Sequence, residues 1–291
     1  MGIVKRFSIT DVERLSGIKA HTLRTWELRY SLLQPDRSSG HARRYSLEEV
    51  NRIIGISILN RNGSRVSRLA SLSEQQLAEK LNQLPSENAL RELDVKELLY
   101  HMFTLNITLF EKILDTCFKK WTTDIVFDEI LIPYLQKTGL YWKGTRSTEE
   151  HFVVAAIRNK IISAIEGIKV KGRNANRVLL FLPDTRQLDL ALLYTCYRLK
   201  SSGISVLYMG NDVSILDLCT VLENLKPSHL FTYLPENNCL CLQDLSEFMN
   251  RVLPQTMLIF SSSSESFHAQ HSNVIQMDHE SAISYLCSQA H

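Results

Sequence analysis

No stretch of this chain reaches 18 uninterrupted apolar residues, so none has the reach of a membrane span. Glycine (11) and proline (7) are sparse among 291 residues, which excludes collagen-like and low-complexity chains. With 44% apolar and 22% charged residues, the balance is globular rather than disordered. The first residues, Met1-Gly2-Ile3-Val4-Lys5-Arg6, pass into polar sequence without an apolar core, so no secretory leader is expected there. The six cysteines (117, 196, 219, 239, 241, 287) include no C-x-x-C pair, and Cys239-x-Cys241 lacks a second pair to complete a zinc site. Reduced thiols, no metal and a cytoplasmic location are the expectation. A Gly-rich phosphate loop is missing, as is any convergent Cys/His/Asp set, so no catalytic residues are expected and the chain reads as no enzyme.

What is present is uneven. Residues 1–70 hold 13 Lys and Arg against 6 Asp and Glu, a net +7, while the remainder holds 20 against 25, a net −5. A basic head on an acidic body suggests that the head alone meets a polyanion. The length exceeds a typical domain of about 100–150 residues and suits two or three.

The head has its own signals. Ser8-Ile9-Thr10-Asp11 opens a short helix with a hydroxyl cap and an acid in the first turn. Val12 and Leu15 give it an apolar face, and Gly17 turns the chain into a second helix near 21–30. Two short helices around a glycine turn form a helix-turn-helix, whose second helix can enter a major groove. The Pro-, Gly- and Ser-rich run 32–45 reads as a hairpin wing, and Ser46-Leu47-Glu48-Glu49 as a capping box opening a third helix. A fourth helix is expected near 66–72.

The run Phe7-Ser8-Ile9…Val12…Leu15-Ser16-Gly17-Ile18…Thr22-Leu23-Arg24-Thr25-Trp26-Glu27…Tyr30…Leu33…Pro35…Arg37…Gly40…Arg43…Tyr45-Ser46 resembles the MerR family of winged-helix transcription regulators. The resemblance implies that Thr22, Arg24 and Thr25 face bases or phosphates and that Arg43 and Tyr45 clamp the DNA backbone from the wing. Arg29, Tyr30 and Arg37 complete the expected DNA-facing set, and Trp26 reads as a core anchor. The chemistry suits the task, since guanidinium groups bind phosphate bidentately or read guanine edges while hydroxyls set register. Lys19 stands where the family usually caps the recognition helix with Ser or Thr, a loss of roughly 1 kcal/mol.

From Ser73 to about Gly172 the apolar period is helical, with helices expected at 74–82, 86–104, 106–120, 122–140 and 149–168. Beyond a polar linker near 169–174 the rhythm changes. Strands are expected at 177–182, 204–209, 228–234, 256–260 and 273–277, alternating with helices at 188–202, 213–225, 240–253 and 279–288. Near-continuous apolar strands alternating with helices imply a parallel sheet covered on both faces. The fold class is therefore α/β multidomain: a winged helix-turn-helix head (1–72), a helical bundle (73–172) and a flavodoxin-like doubly wound sheet (173–291).

This architecture resembles the cobalamin-binding regulators of the MerR class over nearly the full length. That resemblance implies that Trp142, Glu150 and His151 cap a corrin ring; packing within the bundle, with a helix start at Thr148-Glu149-Glu150, is the other reading of these residues. The family places Asp-x-His-x-x-Gly after the first strand of the sheet. Aligned on Leu182-Pro183, Leu188 falls at the His position and Ala191 at the Gly position, and leucine has no lone pair to donate. Thr232 retains a hydroxyl at a later anchor, whereas Ser261–Ser264 replace a Gly-Gly pair and read as a solvated loop or an anion cradle. His229, His268 and His271 read as satisfied or solvated, and Asp184, Asp189, Asp212 and Asp217 as helix caps or solvated acids.

The expectation is a regulator that binds double-stranded DNA as a homodimer or tetramer and works without conventionally bound cobalamin. Its last domain would serve assembly, a protein partner or an unidentified ligand. The alternative is a functional cobalamin-dependent, light-responsive repressor.

Overall fold

The computed structural model describes residues 6–37, 43–139, 148–168, 177–183, 188–234, 240–262 and 273–288. Expectations resting on Trp142, Asp184, Cys239, Ser263, Ser264, His268 and His271 lie outside the described residues. The chain forms two compact units that divide within one helix, the first including residues up to Val153 and the second beginning at Val154.

In the first unit, α1 (Ile9–Ser16) opens with a reciprocal capping box between Ser8 and Asp11 and closes on Gly17, whose φ of 75° takes the turn that a side chain would resist. Helix α2 (Ala20–Tyr30) starts at Lys19 with no side-chain cap of its own. Its first amide is satisfied from the preceding helix instead: the Ala20 N–H donates to Glu13 Oε2 at 3.1 Å, and Lys19 Nζ lies 3.2 Å from the same carboxylate. Those contacts, the Lys19 hydrogen bond first and the Ala20 amide second, hold the Glu13 carboxyl below its usual range. The wing is a two-strand antiparallel ribbon, β1 (Asp36–Arg37) against β2 (Arg43–Arg44).

Helix α3 (Leu47–Arg61) is the hub, burying Val50, Ile53, Ile54, Ile56, Ile58 and Leu59. Its capping acid Glu49 also accepts the Gln34 N–H at 2.7 Å, which fixes the base of the wing. Around it lie α4 (Val66–Ala70), α5 (Glu74–Asn82), α6 (Glu87–Phe103) and α7 (Ile107–Lys120). Gly55 permits the approach of α5, since a Cβ there would stand 3.1 Å from Leu81 Cδ1.

The helix expected over 122–140 is not uniform. An α-turn at Thr123–Ile125 widens into a π-turn at Val126–Leu131 and returns to α over Ile132–Thr138; we call the whole α8. Pro133 gives the reason: in a regular α-helix its ring would clash with the Glu129 carbonyl, and the wide turn lets the proline sit in the first turn of a new segment.

The second unit begins with the last part of α9 (Thr148–Gly167). Its sheet is entirely parallel in the order β4 (Ser205–Gly210), β3 (Arg177–Phe181), β5 (His229–Leu234), β6 (Met257–Ser262), β7 (Val274–Gln276). This is the doubly wound order with a switch point between β3 and β5. Helices α11 (Ile215–Leu225) and α12 (Leu240–Val252) flank a core of Leu179, Leu230, Leu258 and Phe260. Helices α10 (Asp189–Ser201) and α13 (His279–Ser288) pair on the other side. Ser261 and Ser262, read from sequence as loop, end β6 as strand residues opposite Tyr233 and Leu234, because pairing with β5 continues to its last residue.

A polar relay crosses the buried α10 side of this sheet. Thr195 Oγ1 donates to the Ala191 carbonyl at 2.9 Å and lies 2.8 Å from the Tyr233 hydroxyl, which in turn bonds His279 Nδ1. One run of donors satisfies all three if His279 carries its proton on Nδ1, so a second proton would have to enter on Nε2 inside the core. Burial first, and Arg198 second, push the His279 pKa down to about 4 from 6.5. The unfolded chain therefore takes up this proton from pH 6.5 downward while the folded chain resists until about 4. The contribution of His279 is whole above pH 6.5 and shrinks as pH falls to 4, by up to about 3 kcal/mol. Urea unfolding at pH 7.0 and 4.5 will show a smaller loss of stability in His279→Gln than in the parent; equal losses would refute it.

Candidate functional site

Helix α2 divides cleanly. Leu23 and Trp26 are buried against the head, as a core role for Trp26 requires, while His21, Arg24, Thr25, Leu28 and Arg29 are exposed. Residues 21, 24, 25 and 28 follow the i, i+3, i+4, i+7 spacing of one helix face. Among the described residues Arg24 and Arg29 form no ion pair. Thr25 spends its proton on the His21 carbonyl at 3.0 Å, leaving its oxygen as an acceptor. Thr22 and Tyr30 are half-buried at the edges of this face.

The wing is fastened to the same helix. Arg43 Nε meets both carboxylate oxygens of Glu27, at 3.0 and 3.3 Å, in a largely shielded pair. Its terminal nitrogens are not consumed by that contact, and its neighbour Arg44 is exposed. Arg37 pairs with Arg43 across the ribbon. Tyr45 differs from the sequence expectation of a wing clamp: its ring is fully buried, and its hydroxyl has no hydrogen-bond partner among the described residues. The bridge between Phe7 and Tyr45 explains the burial, since it draws the end of the wing under the head. Burial first, and the Glu27 charge second, push the phenol of Tyr45 up. His21, Leu28, Arg44 and the positioning acids Glu13 and Glu27 escaped the sequence reading; the helical spacing from His21 was the available signal for the first two.

In the second unit, ligands in doubly wound folds lie beyond the carboxyl ends of the strands. There Phe181, Pro183, Val213, Leu218, Thr232 and Leu234 enclose a crevice of only about 10 Å3, roughly one water. Thr232 is fully buried and its hydroxyl donates to the Tyr233 carbonyl at 3.3 Å. Leu188 is buried at the start of α10, and Ala191 is fully buried one turn on. Asp189 corrects the expectation of a cap or solvated acid. It is buried, accepting the Tyr208 hydroxyl at 3.0 Å and lying 2.8 Å from Arg158 Nε on α9, because the chain supplies it with an internal cation. Burial, then this carboxylate, push the Tyr208 phenol well up. The described residues here do not fit a lower imidazole ligand for cobalt: the start of α10 offers an alkyl side chain and an already paired carboxylate. Glu150 and His151 belong to the first unit, where the Glu150 charge adds to burial in pushing the Tyr134 phenol up and His151 is exposed.

The buried thiols are unsuited to chemistry. Burial is the main cause that pushes Cys117 up to about 12 and Cys196 up to about 11, far from thiolate at neutral pH. No helix among the described residues is long and apolar enough to cross a membrane.

A helix-turn-helix with a tethered wing, followed by a bundle and a five-stranded parallel sheet, is an architecture whose similarities support a DNA-binding transcription regulator. The particular relatives agree. Residues 7–76 match the family model "MerR HTH family regulatory protein". The chain is 25% identical over 231 residues to the HTH-type transcriptional repressor CarH of Myxococcus xanthus, covering 77% of each protein. It is 27% identical over 225 residues to the HTH-type transcriptional repressor CarA of the same organism, covering 75% of this chain and 73% of that one. In fold it resembles the monomethylamine corrinoid protein of Methanosarcina barkeri, with a TM-score of 0.52 at 11% identity, covering 66% of this chain and 96% of that one.

The internal pairing at α10 has a measurable consequence. Arg158→Ala leaves Asp189 with Tyr208 as its one partner among the described residues and lowers stability by about 1–2 kcal/mol, discounted because Arg158 is half exposed. Adding Asp189→Asn recovers part of that loss. A double-mutant cycle in urea with no coupling between the two positions would refute the pairing.

Proposed function

We propose that this chain is a cytoplasmic, homo-oligomeric regulator that reads double-stranded DNA with Arg24 and Thr25, fixes its register with Thr22, Arg29, Tyr30, Arg37 and Arg43, and regulates without lower-ligand cobalamin binding. The observation that carries the DNA reading is the exposed face of α2, with Arg24 and Arg29 in no ion pair among the described residues, beside a wing tied to it through Arg43 and Glu27. Exposed guanidinium groups on a helix that fits a major groove have base edges and phosphates as their natural partners. Tyr45 serves this reading as a buried anchor of the wing. The role assigned to the chain is regulatory rather than catalytic.

Cobalamin independence rests on Leu188 and Ala191 at the start of α10 and on Asp189 being held by Arg158 and Tyr208. Glu150 and His151 are bundle residues in this reading, and the sheet domain serves assembly or a protein partner.

The test uses the full chain and an operator recovered by selection from a random double-stranded library. Arg24→Ala weakens specific binding by about 1–3 kcal/mol and blurs base preference, whereas Arg43→Ala weakens binding to every sequence and lowers the salt slope by about 1. Equal losses for Arg24→Ala on selected and random DNA would overturn the base-reading role. Adenosylcobalamin and methylcobalamin, titrated in the dark and after light, should leave neither retained colour nor a change in oligomer size. Retained colour with a change in size would overturn cobalamin independence and leave the DNA reading standing.

A further inference from the structure

The first unit contains a cleft of about 430 Å3 between α3, α6 and α8 that neither the recognition helix nor the wing uses. Its volume lies in the range of small-molecule sites. Ile58, Val95 and Leu99 make an apolar wall, and Arg61, Arg91, Lys96 and Lys137 line the same space against the carboxylates Glu92, Asp128 and Glu129, an excess of one positive charge. The cations along the lining are not equally compensated. Arg61 pairs with Glu92 at 3.0 Å, and Arg91, deeper in, with Glu129 at 2.6 Å. Lys96, nearly buried, reaches Glu97 at 3.0 Å. Lys137 has no carboxylate partner among the described residues: its Nζ donates to the Leu15 carbonyl at 2.7 Å. Burial first, then the Arg61 charge, lower its pKa, as expected of an ammonium whose surroundings do not fully replace water. The π-turn of α8 shapes the rim, and such turns recur at functional sites.

We propose that this cleft binds a small amphipathic anion, a carboxylate or phosphate ester carrying an aliphatic or aromatic group, with its acid on Lys137 and its apolar part on Ile58, Val95 and Leu99. Occupancy acts on the head, because Lys137 is the donor that satisfies the Leu15 carbonyl in the last turn of α1, and an anion drawing the ammonium away leaves that carbonyl unpaired. This inference is independent of what the head binds.

Calorimetric titration of the full chain with sodium octanoate, octyl phosphate, acetate and inorganic phosphate tests it. Octanoate or octyl phosphate binds at least tenfold more tightly than acetate or inorganic phosphate, and the tighter of the two assigns the acid as carboxylate or phosphate. Lys137→Gln, which keeps a donor for Leu15 but no charge, weakens the preferred probe at least tenfold, and Val95→Trp, which fills the cleft, abolishes its binding. Amides of Ile9–Ser16 exchange hydrogen faster when the probe is bound. Absence of binding by both octyl probes, binding as tight by the short anions, or affinity unchanged in both variants would overturn the site; unchanged exchange on binding would overturn its action on the head.

Discussion

The carboxyl end of α1 is the point on which the first unit depends. A helix of eight residues has little stability of its own, and its last carbonyls have no partners within it. They are satisfied from elsewhere: Leu15 by Lys137 of α8 at 2.7 Å, and Ser16 by the Ser57 hydroxyl of α3 at 2.9 Å with Arg61 at 3.5 Å. From that end the order passes outward. Glu13 of α1 caps α2, and Glu27 of α2 holds Arg43 of the wing. The placement of the recognition helix is thus conditional on the bundle, and the head and bundle form one unit rather than two beads on a linker.

The second unit meets the same demand by internal pairing. Its central strand β5 is buried along its whole length, and α10 is buried on nearly every side, so every polar group there must find a partner within the domain. Asp189 finds Arg158 and Tyr208, and Thr195, Tyr233 and His279 find one another. Both sets lie on the α10 side or at its start. Such clusters of paired groups favour one arrangement of a core over others, and among the described residues they leave few polar groups at the start of α10 to recruit a ligand.

The elements were legible to within a few residues because their signals are local. Ser8, Ser46 and Ser73 announce helix starts through capping boxes, and the change from helical period to apolar runs near 177 announces the sheet. The interactions that build the sites were less legible because they join residues far apart in sequence. Nothing near Lys19 says that Glu13 will supply the missing cap, and nothing near Asp189 names Arg158. Tyr45 reads as an exposed wing residue until its bridge to Phe7, 38 positions earlier, draws it inward. The π-turn was half visible: Pro133 signals trouble in a helix, but whether the chain kinks, breaks or widens depends on packing around Phe127 and Ile130, both buried.

The charge distribution carries the argument for assembly one step further. Although residues 1–70 hold 13 cations, Arg6, Arg14, Lys19, Arg43, Arg52 and Arg61 are each paired with a carboxylate of the protein itself. Nearly half of the positive charge that the sequence advertises is therefore paired within the first unit, Arg43 through its Nε with its terminal nitrogens left over. At physiological ionic strength screening acts over about 8 Å, so charges remote from a bound backbone add little, whatever their sign. Under the proposed reading one head neutralises few phosphates and presents one short helix to base edges. Two heads on paired half-sites double both contributions and make the second contact intramolecular. In that reading the proposed homo-oligomer follows from how the head uses its own arginines, independently of any ligand in the sheet domain.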